Sequence, residues 1–237
     1  MGAIMRRHEN SLLSRIDPAM YDEMARHAVV VELVQGDVLA EAHDTIEKVY
    51  FPHAGIISCV VELAGGGVIE TGMIGRDGEF GAGLALDDKI SLNHVAVQVG
   101  GLASTFDAKF IVQLAEKYPG FRRVMMAYEH FHLAQVQQTA ACNAVHSVQA
   151  RTCKWLLRMR ELAGDELNVT QQFLAQMMGV RRTSVTGVAI ELQKAGMISH
   201  SRGRIQILDV EKIRRWACEC HEDVRQHYDR LFPPSVG

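Results

Sequence analysis

Residues 170–196, TQQFLAQMMGVRRTSVTGVAIELQKAG, hold two short helical patterns separated by a tight turn. Leu174, Met178, Val180, Val185 and Val188 fall where two crossing helices face one core, and Ala175 is small where their backbones come closest. Gly179 stands at the end of the first pattern, where the chain needs the left-handed backbone that glycine adopts at least cost. This is the spacing of a helix-turn-helix. A plain helical hairpin shares the apolar pattern but does not explain the outward face of the second helix.

That face carries Arg181, Arg182, Thr183, Ser184 and Thr186 in its first two turns. An arginine can donate two parallel hydrogen bonds to guanine, and a threonine offers a hydroxyl or a methyl to a neighbouring base. Ser184 and the free backbone N–H groups of a first turn suit a phosphate. Next comes MISHSRGRIQIL, residues 197–208, which reads as a small hairpin with glycine at its tip and Arg202 and Arg204 beside it. Such a wing lies along a phosphate backbone, where each cation adds salt-dependent affinity. Helix, turn, helix and basic wing predict a winged helix that reads duplex DNA.

Charge agrees with this placement. The whole chain of 237 residues carries a net charge of −3, but residues 181–215 hold eight basic side chains against three acidic ones. A solvated helix face would also look basic; an electrostatic footprint for phosphates is the sharper reading.

Upstream the texture differs. Twelve of the 20 glycines lie between residues 29 and 107, interleaved with VVVELV, IISCVVEL, GVIETGMI and HVAVQV, each of strand length. Ala64-Gly65-Gly66-Gly67 marks a hairpin. Short strands at such spacing predict an antiparallel roll, flanked by helices over residues 12–27 and 107–117. From Phe121 to Leu162 there is neither Gly nor Pro. That span predicts one helix of about 60 Å, or two broken near residues 146–150 with the second over 151–162. Phe121, Val124, Tyr128, Phe131, Gln135, Gln138, Cys142 and Val145 repeat at steps of three and four, the period of a helix zipped to a partner helix. Part of this seam can pack on the chain's own roll; the remainder predicts a parallel homodimer, with Gln135 and Gln138 setting register.

Taken together, FLAQMMGVRRTSVTGVAIELQKAGMI, YFPHAGIIS and GRDGEFGAGLAL resemble the cyclic AMP receptor and fumarate–nitrate regulator (Crp/Fnr) superfamily of bacterial transcription regulators. The resemblance implies an α+β chain in three parts. Residues 1–118 would form a cyclic-nucleotide-binding-like β-roll (jelly roll) sensor, 119–146 a dimerisation helix, and 147–237 a winged helix-turn-helix domain. It further implies a cytoplasmic homodimer on a pseudo-palindromic operator, in contact with RNA polymerase.

The departures from the family pattern matter too. The glutamate that would take a cyclic nucleotide's ribose is replaced by Gly83 in Ala82-Gly83-Leu84, and the phosphate-pairing arginine by about Asn93. No Arg occurs between Arg76 and Arg122. A cyclic phosphate there would forgo a charge-assisted bond worth about 1.5–3 kcal/mol. The expectation is therefore a sensor that either binds an unidentified small molecule, not cyclic AMP, near Phe80, Gly81, Ala82, Gly83, Leu84, Asn93 and His94, or has lost ligand control. Two alternatives stand beside it: a cyclic nucleotide held by non-standard contacts, and a cupin-like metal-binding β-roll enzyme. On the recognition helix the family's Arg-Glu and second Arg become Arg182-Thr183 and Gly187, which implies a guanine contact at Arg182 and an altered operator.

The remaining signals point to no enzyme, no membrane span and no cofactor. No cysteine precedes Cys59, so the iron–sulfur cluster of the oxygen-sensing members has no N-terminal ligands. Cys218-Glu219-Cys220-His221 lacks a second ligand pair at zinc-site spacing, and residues two apart on a helix diverge. These read as solvated or packing residues, and Cys142 and Cys153 as small core groups, with an intersubunit disulfide open to Cys142 on the seam; no metal is expected.

Overall fold

The computed structural model describes residues 7–201 and 203–233. By its internal contacts the chain forms two compact units. One runs to Cys59 and resumes over Met73–His132; the other joins Val60–Gly72 to the chain from Leu133 onward.

The first unit begins with two 3₁₀ turns (Arg7–Glu9 and Leu13–Arg15), so the helix expected over residues 12–27 forms only as α1 (Pro18–His27), whose N-cap Asp17 accepts from the Ala19 N–H and whose N1 is Pro18. Strands β1 (Val29–Leu33), β2 (Val38–Ala40), β3 (Lys48–Pro52), β4 (Ile56–Glu62) and β5 (Val68–Ile74) follow, then a short helix α2 (Ala82–Ala85), β6 (His94–Val99) and β7 (Gly101–Asp107). They form two sheets of order β1-β7-β3 and β2-β6-β4-β5. The β1/β7 register pairs Val29 with Thr105, and β3 runs antiparallel on the other side of β7, with Lys48 opposite Asp107 and an ion pair between them at 2.5 Å. β-Branched and aromatic side chains suit such half-buried pleats. Leu33, Ile57, Ile74, Phe80, Val95 and Val97 are among those that close the core of the roll. Every strand segment expected from the sequence is present, and α3 (Ala108–Lys117) follows the roll.

The Gly- and Pro-free stretch folds as two helices, α4 (Pro119–Val145) and α5 (Val148–Ala163), with Ser147 capping the second through its hydroxyl. Five seam residues, Phe121, Tyr128, Phe131, Gln135 and Cys142, are already buried within the single chain, while Val124 and Gln138 are half-buried and Val145 is 75% exposed. A 3.5-residue period shows that a helix is zipped to something; it does not say whether the partner is the same chain. The exposed apolar residues on α4 include Met126 (39%) and Leu133 (56%), seven positions apart and off that seam.

The second unit continues with β8 (Glu166–Leu167), α6 (Gln171–Met177), α7 (Arg182–Lys194), the hairpin β9 (Ile198–Ser201) and β10 (Arg204–Ile207), then α8 (Val210–Trp216) and α9 (Cys220–Leu231). Its sheet has the order β8-β10-β9. Helix α5 supplies much of the hydrophobic floor through Leu156, Leu157 and Met159, all 2% exposed or less. Trp155, 8% exposed, donates its indole N–H to Glu70 Oε1 at 2.9 Å, which ties the tip of the β4–β5 hairpin into this unit.

Candidate nucleic-acid interface

The bihelical corner is built by capping at each end. Thr170 Oγ1 accepts from the Phe173 N–H at 3.1 Å and starts α6. Gly179 at φ +63 ends it, with the Val180 N–H reaching back to the Ala175 carbonyl at 2.9 Å. A guanidinium N–H of Arg151 donates to the Met178 carbonyl at 2.5 Å, a cation at a helix C-terminus. Leu174, Met178, Val185 and Val188 are buried as expected, together with Ala175, Ala189 and Leu192; Val180 is half-buried.

With that face committed inward, the start of α7 presents Arg181, Arg182 and Thr183 to solvent, and Ser184 and Thr186 are half-exposed. Among the described residues neither Arg181 nor Arg182 meets an acidic partner. The N-cap Arg181 makes no side-chain hydrogen bond to the helix, and its own charge stands at the positive end of α7. Thr186 is held differently from the expectation: its hydroxyl donates to Gln171 Oε1 at 2.7 Å, a brace between the two helices.

In the wing, Arg204 Nη1 lies 3.0 Å from Glu166 Oε1, with the two side chains 63% and 53% exposed. Arg202 lies outside the described residues. On α8, Lys212 and Arg214 pair with Asp209 and Glu211 at 3.2 and 3.7 Å. With those three cations paired, Arg181 and Arg182 remain as two adjacent exposed cations at the head of α7.

The residues expected around an effector behave otherwise. Phe80, Gly81 and Ala82 are buried, and Gly83, Leu84, Asn93 and His94 half-buried. Gly83 has no room for a side chain because Glu129 of α4 already fills the space: a Cβ would lie 2.2 Å from its Cδ. Tyr128 stands equally close over Gly78. Beside them Glu79, 1% exposed, accepts from the Ala82 N–H at 2.7 Å. Burial, then the adjacent Glu129 carboxyl, pushes Glu79 well above the usual carboxylate range, and burial raises Glu129 as well. His94 is bound to Glu41 at 2.7 Å. A cavity of about 550 Å³ lined by residues such as His53 and Arg76 shares none of these seven positions.

Sequence reasoning missed Glu79 and Glu129, since nothing local marks two distant acids as neighbours. It also assigned Cys142, Cys218 and Cys220 to packing. The fold brings these three thiols and His146 within 4.8 Å of one another, so the expectation of no ligand set is revised. His221 faces Glu161 instead, at 3.2 Å.

Comparison with known proteins agrees with the corner and the roll. A family model described as the Crp-like helix-turn-helix domain matches residues 150–216. No curated protein sequence matches the chain. Among solved structures, FixK2 from Bradyrhizobium japonicum superposes with a TM-score of 0.69 at 12% identity, covering 81% of this chain and 98% of that one. A putative Crp/Fnr-family transcriptional regulator from Eubacterium rectale gives 0.68 at 14%, covering 88% and 98%. The c-di-GMP responsive global regulator CLP of Xanthomonas campestris gives 0.64 at 16%, covering 81% and 99%. No helix among the described residues is long and apolar enough to cross a membrane. Residues 150–216 thus carry a Crp-like helix-turn-helix domain, and the fold of the chain is similar to that of Crp/Fnr-family structures.

Proposed function

We propose that the chain acts as a homodimer on a pseudo-palindromic operator, with the N-terminal turns of α7 in the major groove. Arg181 and Arg182 contact base edges or phosphates there, Thr183 and Ser184 support them, and Arg204, with Arg202, follows the backbone. One observation carries this reading: two unpaired arginines stand exposed at the head of a helix whose opposite face, through Val185, Val188 and Leu192, is buried. Half-sites then lie about 10 base pairs apart, one turn of the duplex. RNA polymerase contact follows from the family resemblance.

The dimer forms along α4 through the stripe that includes Met126 and Leu133, because the buried seam is no longer free for a partner. The sensor does not take cyclic AMP in the usual way: Asn93 stands at about the place of the phosphate-pairing arginine, and Glu129 of α4 fills the space beside Gly83 at the ribose position. Selection of bound genomic fragments, followed by binding of Arg182→Ala to the selected duplex, tests the DNA reading. Equal affinity of the wild-type protein for selected and random DNA would refute it. Calorimetry with cyclic AMP, cyclic GMP and c-di-GMP tests the sensor; micromolar binding of any of them would overturn the negative expectation.

A further inference from the structure

Four potential ligands from two parts of the sequence meet where α4 ends and α9 begins. Cys142 sits in the last turn of α4, and His146 lies four residues on, where the chain turns towards α5. Cys218 precedes α9 and Cys220 is its first residue. Because Cys218 lies outside the helix, the divergence expected of residues two apart on a helix does not apply, and both sulfurs face the same point. Cys142 Sγ and Cys218 Sγ are 3.5 Å apart, and Cys220 Sγ is 3.5 Å from His146 Nδ1.

We propose that Cys142, His146, Cys218 and Cys220 bind a single thiophilic divalent cation, zinc by their chemistry, in a closed structural site. Four observations support this. First, the donor set is Cys₃His, one of the sets that structural zinc takes. Second, the size fits. Tetrahedral bonds of roughly 2.3 Å to sulfur and 2.0–2.1 Å to nitrogen separate ligands by roughly 3.8 Å (S···S) and 3.6 Å (S···N). All four donors here lie within 4.8 Å of one another, which encloses one ion rather than ligands spread over several irons. Third, the surroundings are those of a metal ligand shell. His146 points its other nitrogen, Nε2, at Glu219 Oε1 at 3.2 Å, the carboxylate–histidine arrangement that fixes ring orientation and raises basicity. The Gln138 amide donates to Cys220 Sγ at 3.2 Å. Fourth, the three cysteines are at most 8% exposed and Ala150 packs against them, so the site has a dry side.

Binding replaces three S–H bonds by three metal–thiolate bonds and releases three protons for each ion taken up from neutral thiols, with no change of oxidation state. The ion would tie the end of α4 and its turn into α5 to the head of α9, all within the C-terminal unit.

The full chain, purified under reductant without a histidine tag, decides the matter by elemental analysis. We expect one zinc per chain, its loss in Cys218→Ser/Cys220→Ser, and its retention in Cys59→Ala, which alters a roll cysteine. Cobalt(II) titration of the chelator-stripped wild-type protein should give thiolate-to-cobalt charge-transfer absorption saturating at one equivalent. This readout needs no variant to fold. A wild-type protein that is metal-free and gives no such absorption while its thiols are reduced overturns the proposal. So does a Cys142–Cys218 disulfide in the isolated protein without metal, which would make the cluster a redox pair, or iron with inorganic sulfide at several atoms per chain.

Discussion

Glu166→Gln should tighten DNA binding, because it releases Arg204. The pair is 3.0 Å apart with both side chains more than half exposed, so its attraction is screened. Exposed pairs of this kind are worth about 0.2–1 kcal/mol. Freeing the guanidinium for a phosphate therefore gains about 1.4- to 5-fold in affinity at RT ≈ 0.59 kcal/mol, and up to about 0.9 in the slope of log K against log salt. Glutamine keeps the shape of the side chain, and the backbone pairing of Glu166 with Gln206 in β8–β10 is untouched. Fluorescence anisotropy of labelled duplexes between about 50 and 200 mM salt reads both quantities. The gain should be equal on operator and random DNA, since a phosphate contact carries no sequence information. It should vanish in an Arg204→Ala background. A gain that persists without Arg204, or an unchanged salt slope in Glu166→Gln, would refute the reasoning.

Arg182→Ala should cost about 1–3 kcal/mol on the operator and relax preference at one base pair; equal weakening on random DNA in the same anisotropy assay would confine Arg182 to phosphate. Leu192→Ala, at a site with 0% exposure, should lower unfolding free energy by about 2–5 kcal/mol in a denaturant titration, and a loss under 1 kcal/mol would mean the corner is not the core of its unit. Because Glu79 is raised above its ordinary 4.5, the folded state holds its proton longer than the unfolded chain. That contribution to stability is complete below about pH 4.5 and fades as pH rises through the folded value. Melting temperatures of wild type and Glu79→Gln should thus diverge in favour of the variant towards neutral pH; parallel curves would contradict the buried-acid assignment. Leu133→Glu should convert the proposed dimer to monomer by sedimentation, and a persistent dimer would move the interface off that stripe.

The parts of the fold written in local chemistry were legible. The strands announced themselves by β-branched runs between glycines, and Gly179 by the left-handed turn it occupies. The arginines at the head of α7 could be named because the apolar positions around them fixed which face was outward. What stayed hidden depends on long-range closure. Glu166 could not be seen as the partner of Arg204, because a strand of two residues leaves no pattern. Glu129 could not be placed over Gly83, because an acid on a long helix looks like any solvated charge. Cys142 and His146 meet Cys218 and Cys220 across separations of 76 and 74 residues, and only the packing of α9 against the end of α4 joins them.

The indole of Trp155 has a practical lesson for anyone who would transplant this DNA reader. Its only described hydrogen-bond acceptor, Glu70, arrives from a hairpin encoded some eighty residues upstream. Cutting the chain between α4 and α5 would remove that acceptor and uncover the side of the indole on which Glu70 now sits. A chimaera that grafts only the carboxyl-terminal portion onto a foreign sensor starts from a weakened reader. The portable piece is discontinuous, and a faithful graft must supply a substitute for the borrowed hairpin tip.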